Sequence, residues 1–297
     1  MLSASARPRP TGGVAARITL LVLVAATGIV GYLGIRPSQS WILALTAVLV
    51  ALAVDGIVRT HPRWRQSGFA NGLVHLMLPG LAVLAAGLFI HETLDGYERT
   101  GAGILAALGV GAIALGLYTT VDYSSTYYGA MRIGLAVATY LAAFALFSVS
   151  YAADVNLPVS AIAVGVVAAL LATELIRESR MLDNSSLIAG FAIGISLAEL
   201  RVALYFFPLD GLLGGALLVI GFYLGTGLVH HLGDRDLQFL TLLEYLAVAG
   251  VAVAAVVFTR DLIGRLKRLP QLSARGGLVK QDRDTLGEET LCHEGSR

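Results

Sequence analysis

The chain has 297 residues, 56% of them hydrophobic and only 14% charged, with a formal net charge of +1 and a mean hydropathy of +0.76. A soluble domain of this length carries roughly a quarter charged residues and alternates polar with apolar positions, so this is a membrane composition. No basic stripe interleaved with aromatics exists to meet a row of phosphates, which argues against nucleic acid, and the single Cys292 rules out a disulfide framework or a cysteine-rich metal site.

Residues 1–14 are small, polar and proline-containing, and are expected to be disordered. Arg7, Arg9 and Arg17 then precede an apolar run at about 18–33, too long for a typical signal peptide and read as an uncleaved first span. A second span at about 41–58 ends with Asp55 one turn before Arg59, an interfacial ion pair. The third, about 72–90, contains Pro79, which permits a kink. The fourth, about 102–118, is mostly Ala and Gly, making it the weakest span by hydropathy and the best suited to close helix contact.

Polar and aromatic residues at 118–128 form a connector at headgroup level. Spans five and six, about 131–151 and 157–176, form an antiparallel hairpin through Asp154, Asn156 and Pro158. A further hairpin at about 187–231 supplies spans seven and eight, and a ninth runs from about 237 to 258. The polar remainder, 259–297, is expected to be a disordered tail beyond a helical membrane domain at 15–258. No sequence repeat stands out, although turns with proline in or near them recur after the first, fifth and seventh spans.

Arginines collect on alternate loops. Arg59, Arg63, Arg65, Arg132, Arg177, Arg180 and Arg235 join the N-terminal group on one side, against Arg36 and Arg99 on the other, which puts the N-terminus in the cytoplasm. Nine spans then leave Arg260, Arg265, Lys267 and Arg268 outside, in conflict with the same rule. Eight crossings with a re-entrant or interfacial last segment is the alternative, and loss of the fourth span would invert too many of the later loops.

The 187–231 hairpin is the centre of the reading, because Glu199 and Arg201 fall inside one apolar run. Two residues apart they point about 200° apart around a helix, so each needs its own partner. Gly190, Gly194 and Ala198 form a small-residue stripe between them. The structural reading is a buried polar network with Arg201 snorkelling to the nearby interface; the functional one is a cavity for a polar or anionic ligand. Tyr223 and His230 share a face of the eighth span, and an antiparallel ninth brings Glu244 level with Tyr223, giving either a tyrosine–carboxylate bond or a proton relay. His91, Glu92 and Asp95 lack the second histidine and third ligand of a zinc site and read as an acidic loop. No nucleotide, hydrolase or nucleophile motif occurs.

The segment from Glu199 to Pro208, followed by a Gly-rich span with Tyr223 and Gly227, is similar to a family of uncharacterised bacterial multi-pass membrane proteins. The resemblance covers the last third of the membrane region and implies a central place for the Glu199 helix, but no activity.

The sequence therefore predicts an all-α, polytopic transmembrane helix bundle of about nine spans in a bacterial inner membrane. Lipid is its partner, and no metal or cofactor is expected. A carrier with a polar site around Glu199, Arg201, Tyr223, His230 and Glu244 stands beside a scaffold or assembly subunit, with a membrane enzyme third.

Overall fold

The computed structural model describes residues 12–35, 39–61, 76–122, 125–152, 156–177, 183–207, 209–233 and scattered positions between 243 and 258. Eight helices appear among them: α1 Gly12–Gly34, α2 Ser40–Arg59, α3 Met77–Thr93, α4 Tyr97–Thr120, α5 Tyr128–Ala152, α6 Leu157–Arg177, α7 Asp183–Leu204 and α8 Gly211–Gly233. All but α3 are long and apolar enough to cross a membrane. Helices answer the demand of hydrocarbon that every backbone donor and acceptor be satisfied within the chain. Polar side chains inside the spans obey it too: Thr46, Thr139, Thr173 and Thr226 each donate to the carbonyl four residues back, at 2.7–2.9 Å.

The eight helices lie in one compact unit, Met1–Ala249. Gly250–Arg297 forms a second, of which Gly250, Val251, Val253, Ala254 and Phe258 are described as helical. Most of the expected ninth span, Glu244 included, lies outside the described residues, as do residues 1–11 and the tail beyond Phe258.

One expectation holds and another changes. The fourth span is one of the seven long helices, and its glycines seat it on α1, with Gly103 against Ile29, Val30 and Leu33 and Gly111 against Val22. The third is shorter than expected: it begins at Met77, so Pro79 falls in the first turn, where its missing N–H interrupts no helical bond. At 17 residues α3 is about 25 Å long. It runs antiparallel to α2, with Gly80 near Ala47 and Ala51 and Gly87 near Leu43.

The pairing of helices contains a repeat. In the first four, α1 packs on α4, α2 on α3, α1 on α2 and α3 on α4; the last four pair in the same way, α5 on α8, α6 on α7, α5 on α6 and α7 on α8. Detail follows the pattern. Gly80 of α3 sits against Ala47 and Ala51 of α2, and Gly194 of α7 against Gly165 and Ala169 of α6. The turns into α4 and α8 both read Leu-Asp-Gly, at Leu94-Asp95-Gly96 and Leu209-Asp210-Gly211. Gly96 adopts φ 63°, a left-handed conformation suited to glycine. The two four-helix units meet through α3 on α5, α4 on α5 and α3 on α6.

The contact between α6 and α7 is the tightest of these. A Cβ on Gly194 would lie 2.5 Å from the Gly165 carbonyl oxygen and 2.8 Å from the Ala169 Cβ, and one on Gly190 would lie 2.1 Å from Thr173 Oγ1. Gly194→Ala is expected to destabilise the bundle by about 1–3 kcal/mol, seen as a lower unfolding midpoint in detergent. Gly31→Ala, whose Cβ meets nothing within 4 Å, should leave the midpoint unchanged or slightly raised. Equal responses of the two variants would show that α6 and α7 do not touch at Gly194.

Candidate functional site

Where the ends of α5, α7 and α8 converge, buried polar atoms gather without partners. Arg201, in the last turn of α7, is only 5% exposed. Its guanidinium carbon lies 3.8 Å from the centroid of the Tyr151 ring of α5. One Nη2 donates to the Ser150 carbonyl over a long 3.3 Å. Nε and Nη1 of Arg201, the Tyr151 hydroxyl and Ser148 Oγ are all buried and have no hydrogen-bond partner among the described residues.

Local sequence explains the convergence. Ser148 and Tyr151 are one turn apart on α5, so they share a face. That face meets the glycine pair that opens α8: a Cβ on Gly214 would lie 2.8 Å from the Tyr151 ring, and one on Gly215 only 2.1 Å from Ser148 Oγ. Glycine at both places lets α8 press Tyr151 from one side while Arg201 covers its ring.

Magnitudes indicate that the cluster is incomplete as a purely structural feature. A desolvated cation over an aromatic ring gains about 2 kcal/mol, and one long bond to a carbonyl adds little. Desolvating the guanidinium costs several kcal/mol, which is recovered only when the remaining donors are bonded. No carboxylate pairs with Arg201 among the described residues. Its unbonded donors are the chemistry that binds carboxylate, phosphate or sulfate.

The first four-helix unit has a counterpart in which the arginine is bonded within the chain, although His91 Nδ1 is buried without a partner among the described residues. Tyr32, near the end of α1, stacks at 5.4 Å on His91, in the last turn of α3. Arg99, in the first turn of α4, donates to the carbonyls of His91, at 2.9 Å, and Leu94, and to Asp95 Oδ1 at 3.1 Å. Its donors are spent on the open carbonyl end of α3. Asp95 is therefore held by an arginine, and among the described residues no three His, Cys, Asp or Glu side chains are grouped to hold a metal.

Placement of the expected site residues is mixed. Glu199 is exposed, whereas Arg201 is buried; the two-residue spacing turns Glu199 away while α6 and α8 occupy the other side. Arg201 does not snorkel outward but turns in against Tyr151. Tyr223 is half-buried, its ring 6.1 Å from that of Tyr140 on α5. The same Tyr140 reaches Thr226 Oγ1 at 3.1 Å. The His230 side chain and all of Glu244, two members of the expected relay, lie outside the described residues. The sequence reading missed Ser148 and Tyr151, whose one signal is the one-turn spacing of two polar residues at the end of an apolar helix. The fold also buries Glu174, near the end of α6, at 8% exposed. Asp55 and Arg59 do pair, at 2.6 Å.

A family model for proteins of unknown function matches residues 19–259, which takes in every described helix after the start of α1. The chain belongs to the DUF5656 family. No curated protein and no solved structure matches it. This DUF5656 chain is thus a multi-pass membrane protein with a buried Arg201 and a buried Glu174.

The orphan hydroxyls allow a direct check. Ser148→Ala and Tyr151→Phe remove buried groups that bond to nothing, so neither should lower the unfolding midpoint of the ligand-free protein. Tyr151→Leu removes the ring beneath the guanidinium and should lower it by an amount equivalent to about 2 kcal/mol or more. A loss in Tyr151→Phe as large as in Tyr151→Leu would mean that the hydroxyl is bonded and the cluster already satisfied.

Proposed function

We propose that this DUF5656 protein is a carrier-like membrane protein that takes a small anionic group at Arg201. The observation behind this reading is the set of buried, unbonded atoms on two helices, α7 and α5: two guanidinium nitrogens, the Tyr151 hydroxyl and Ser148 Oγ. A purely structural arginine is expected to spend its donors on carbonyls or carboxylates, as Arg99 does. Arg201 supplies charge and a planar fork, Tyr151 holds the fork's plane, and the two hydroxyls donate to the remaining lone pairs of the anion. Glu199 has no part in binding, and its exposure places its carboxylate away from the anion.

The test uses inorganic phosphate and sulfate as probes on protein in nanodiscs. An anion that binds the folded state alone stabilises it by about 2.7 kcal/mol at a hundred times its dissociation constant. The unfolding midpoint of the wild type should rise with probe concentration at constant ionic strength. Arg201→Gln should abolish the rise, and Arg201→Lys, which keeps the charge but not the fork, should weaken it. An equal rise in the wild type and both variants, or no rise in any, overturns the reading.

We further propose that the protein lies in a bacterial inner membrane with its N-terminus in the cytoplasm, α3 crossing as well and 237–258 supplying a ninth span. Loop arginines support the orientation. Reporter fusions after Arg65 and after Arg180, both outside the described residues, should read cytoplasmic, and a periplasmic signal at either reverses the orientation. A fusion after Arg268 should read periplasmic for nine crossings and cytoplasmic for eight.

A further inference from the structure

A cavity of about 650 Å³ opens between α4 and α5 and is floored by α3. Every residue that lines it is Ala, Gly, Val, Leu, Ile, Met or Phe. Its floor is buried, with Ala85 3% and Val110 2% exposed, whereas its rim carries Val137 and Leu141, 52% and 63% exposed. The rim belongs to two candidate membrane spans whose exposed side chains include Leu105, Leu108, Val137 and Leu141, so the opening faces the hydrocarbon of the bilayer. A polar ligand finds no partner in such a lining.

Shape discriminates among apolar occupants. From Met131 to Ala145 the lining follows α5 for about 21 Å at 1.5 Å per residue. Spread over that length, a volume of about 650 Å³ leaves a mean cross-section of roughly 30 Å². A helix with its side chains, about 10–12 Å across, has a cross-section around three times as large. The groove is too narrow to take in a whole helix of this chain, of a second copy or of a partner. It has the width of an extended hydrocarbon chain.

Two glycines reinforce the point. Gly109 on α4 and Gly134 on α5 both line the groove, and a Cβ on either meets nothing within 4 Å. Gly103, Gly111 and Gly116 of α4, by contrast, are in contact with α1 or α5 side chains. Gly109 and Gly134 therefore do not serve a helix contact; what their missing side chains leave is room.

We propose that the groove holds one acyl chain of a membrane lipid, inserted between α4 and α5 down to the alanines of α3. The site is separate from Arg201 and independent of the reading given for it. It lies where the two four-helix units meet, so the bound chain completes a seam that protein side chains leave unfilled.

The test is photolabelling in phosphatidylethanolamine and phosphatidylglycerol vesicles containing a phospholipid with a diazirine in its acyl chain. In the wild type, label should concentrate on residues 106–116 and 131–145 relative to the exposed Ile188 and Phe191 face of α7. Gly109→Leu combined with Gly134→Leu fills the groove and should reduce its label to the α7 level, with each single variant giving a partial loss and an unfolding midpoint near that of the wild type. Label no denser in the wild-type groove than on α7, or unchanged in the filled variants, overturns the proposal. A disulfide between copies through Gly109→Cys or Gly134→Cys in a Cys292→Ser background would overturn it as well, by showing a second copy on this face.

Discussion

Close approach of helix backbones is the constraint on which the rest of this structure depends. Inside hydrocarbon, burying a leucine against a leucine gains little over burying it against lipid, so helices associate through contact, and contact is closest where side chains are smallest. Gly165, Ala169, Gly190 and Gly194 bring α6 and α7 together backbone to backbone, and Gly214 with Gly215 does the same for α8 on the end of α5. The position of Arg201 follows from these approaches. Arg201 lies under cover because α6 fixes one side of α7 and α5 with α8 closes around its last turn.

The two four-helix units put similar parts to different ends. Each sets a tyrosine near the end of its first helix against a basic side chain in the last turn of its third. In the first unit Arg99 ties the open carbonyls of α3 into the turn before α4. In the second, the turn before α8 carries no arginine, and the basic residue under the tyrosine is itself the arginine, with most of its donors unspent. That difference within one scaffold sets an arginine whose donors are bonded apart from one whose donors are not.

Hydropathy alone made much of the fold legible. The spans were readable because an apolar run of about twenty residues has few alternatives, and the α4 glycines announced close contact before their partner on α1 was known. The small-residue stripe on α7 was likewise visible, but not the helix that would use it. Tyr151 escaped because it stands fifty residues before Arg201 in the chain, and a ring that covers a cation leaves no local spacing to detect. The repeat escaped for a different reason: the starts of corresponding helices are 116, 117, 106 and 114 residues apart, so no fixed period survives the changes in loop and helix length. Only the helix pairing keeps it. Glu199 was misjudged because the cost of a charge in hydrocarbon was taken to require burial in protein, whereas near a helix end an exposed carboxylate lies within reach of the headgroups.

The number of helices in the repeated unit has a consequence for how the copies are oriented. Neighbouring helices run antiparallel, so a unit of four ends on the side where it began, and the next unit starts again in the same direction. A unit of three would have turned its successor upside down. With four, the repeat acts as a translation and rotation within the plane of the bundle rather than an inversion, and the Tyr32–His91 and Tyr151–Arg201 pairs emerge on the same face. The bonded and the unbonded version of the same arrangement therefore stand at the same end of the bundle.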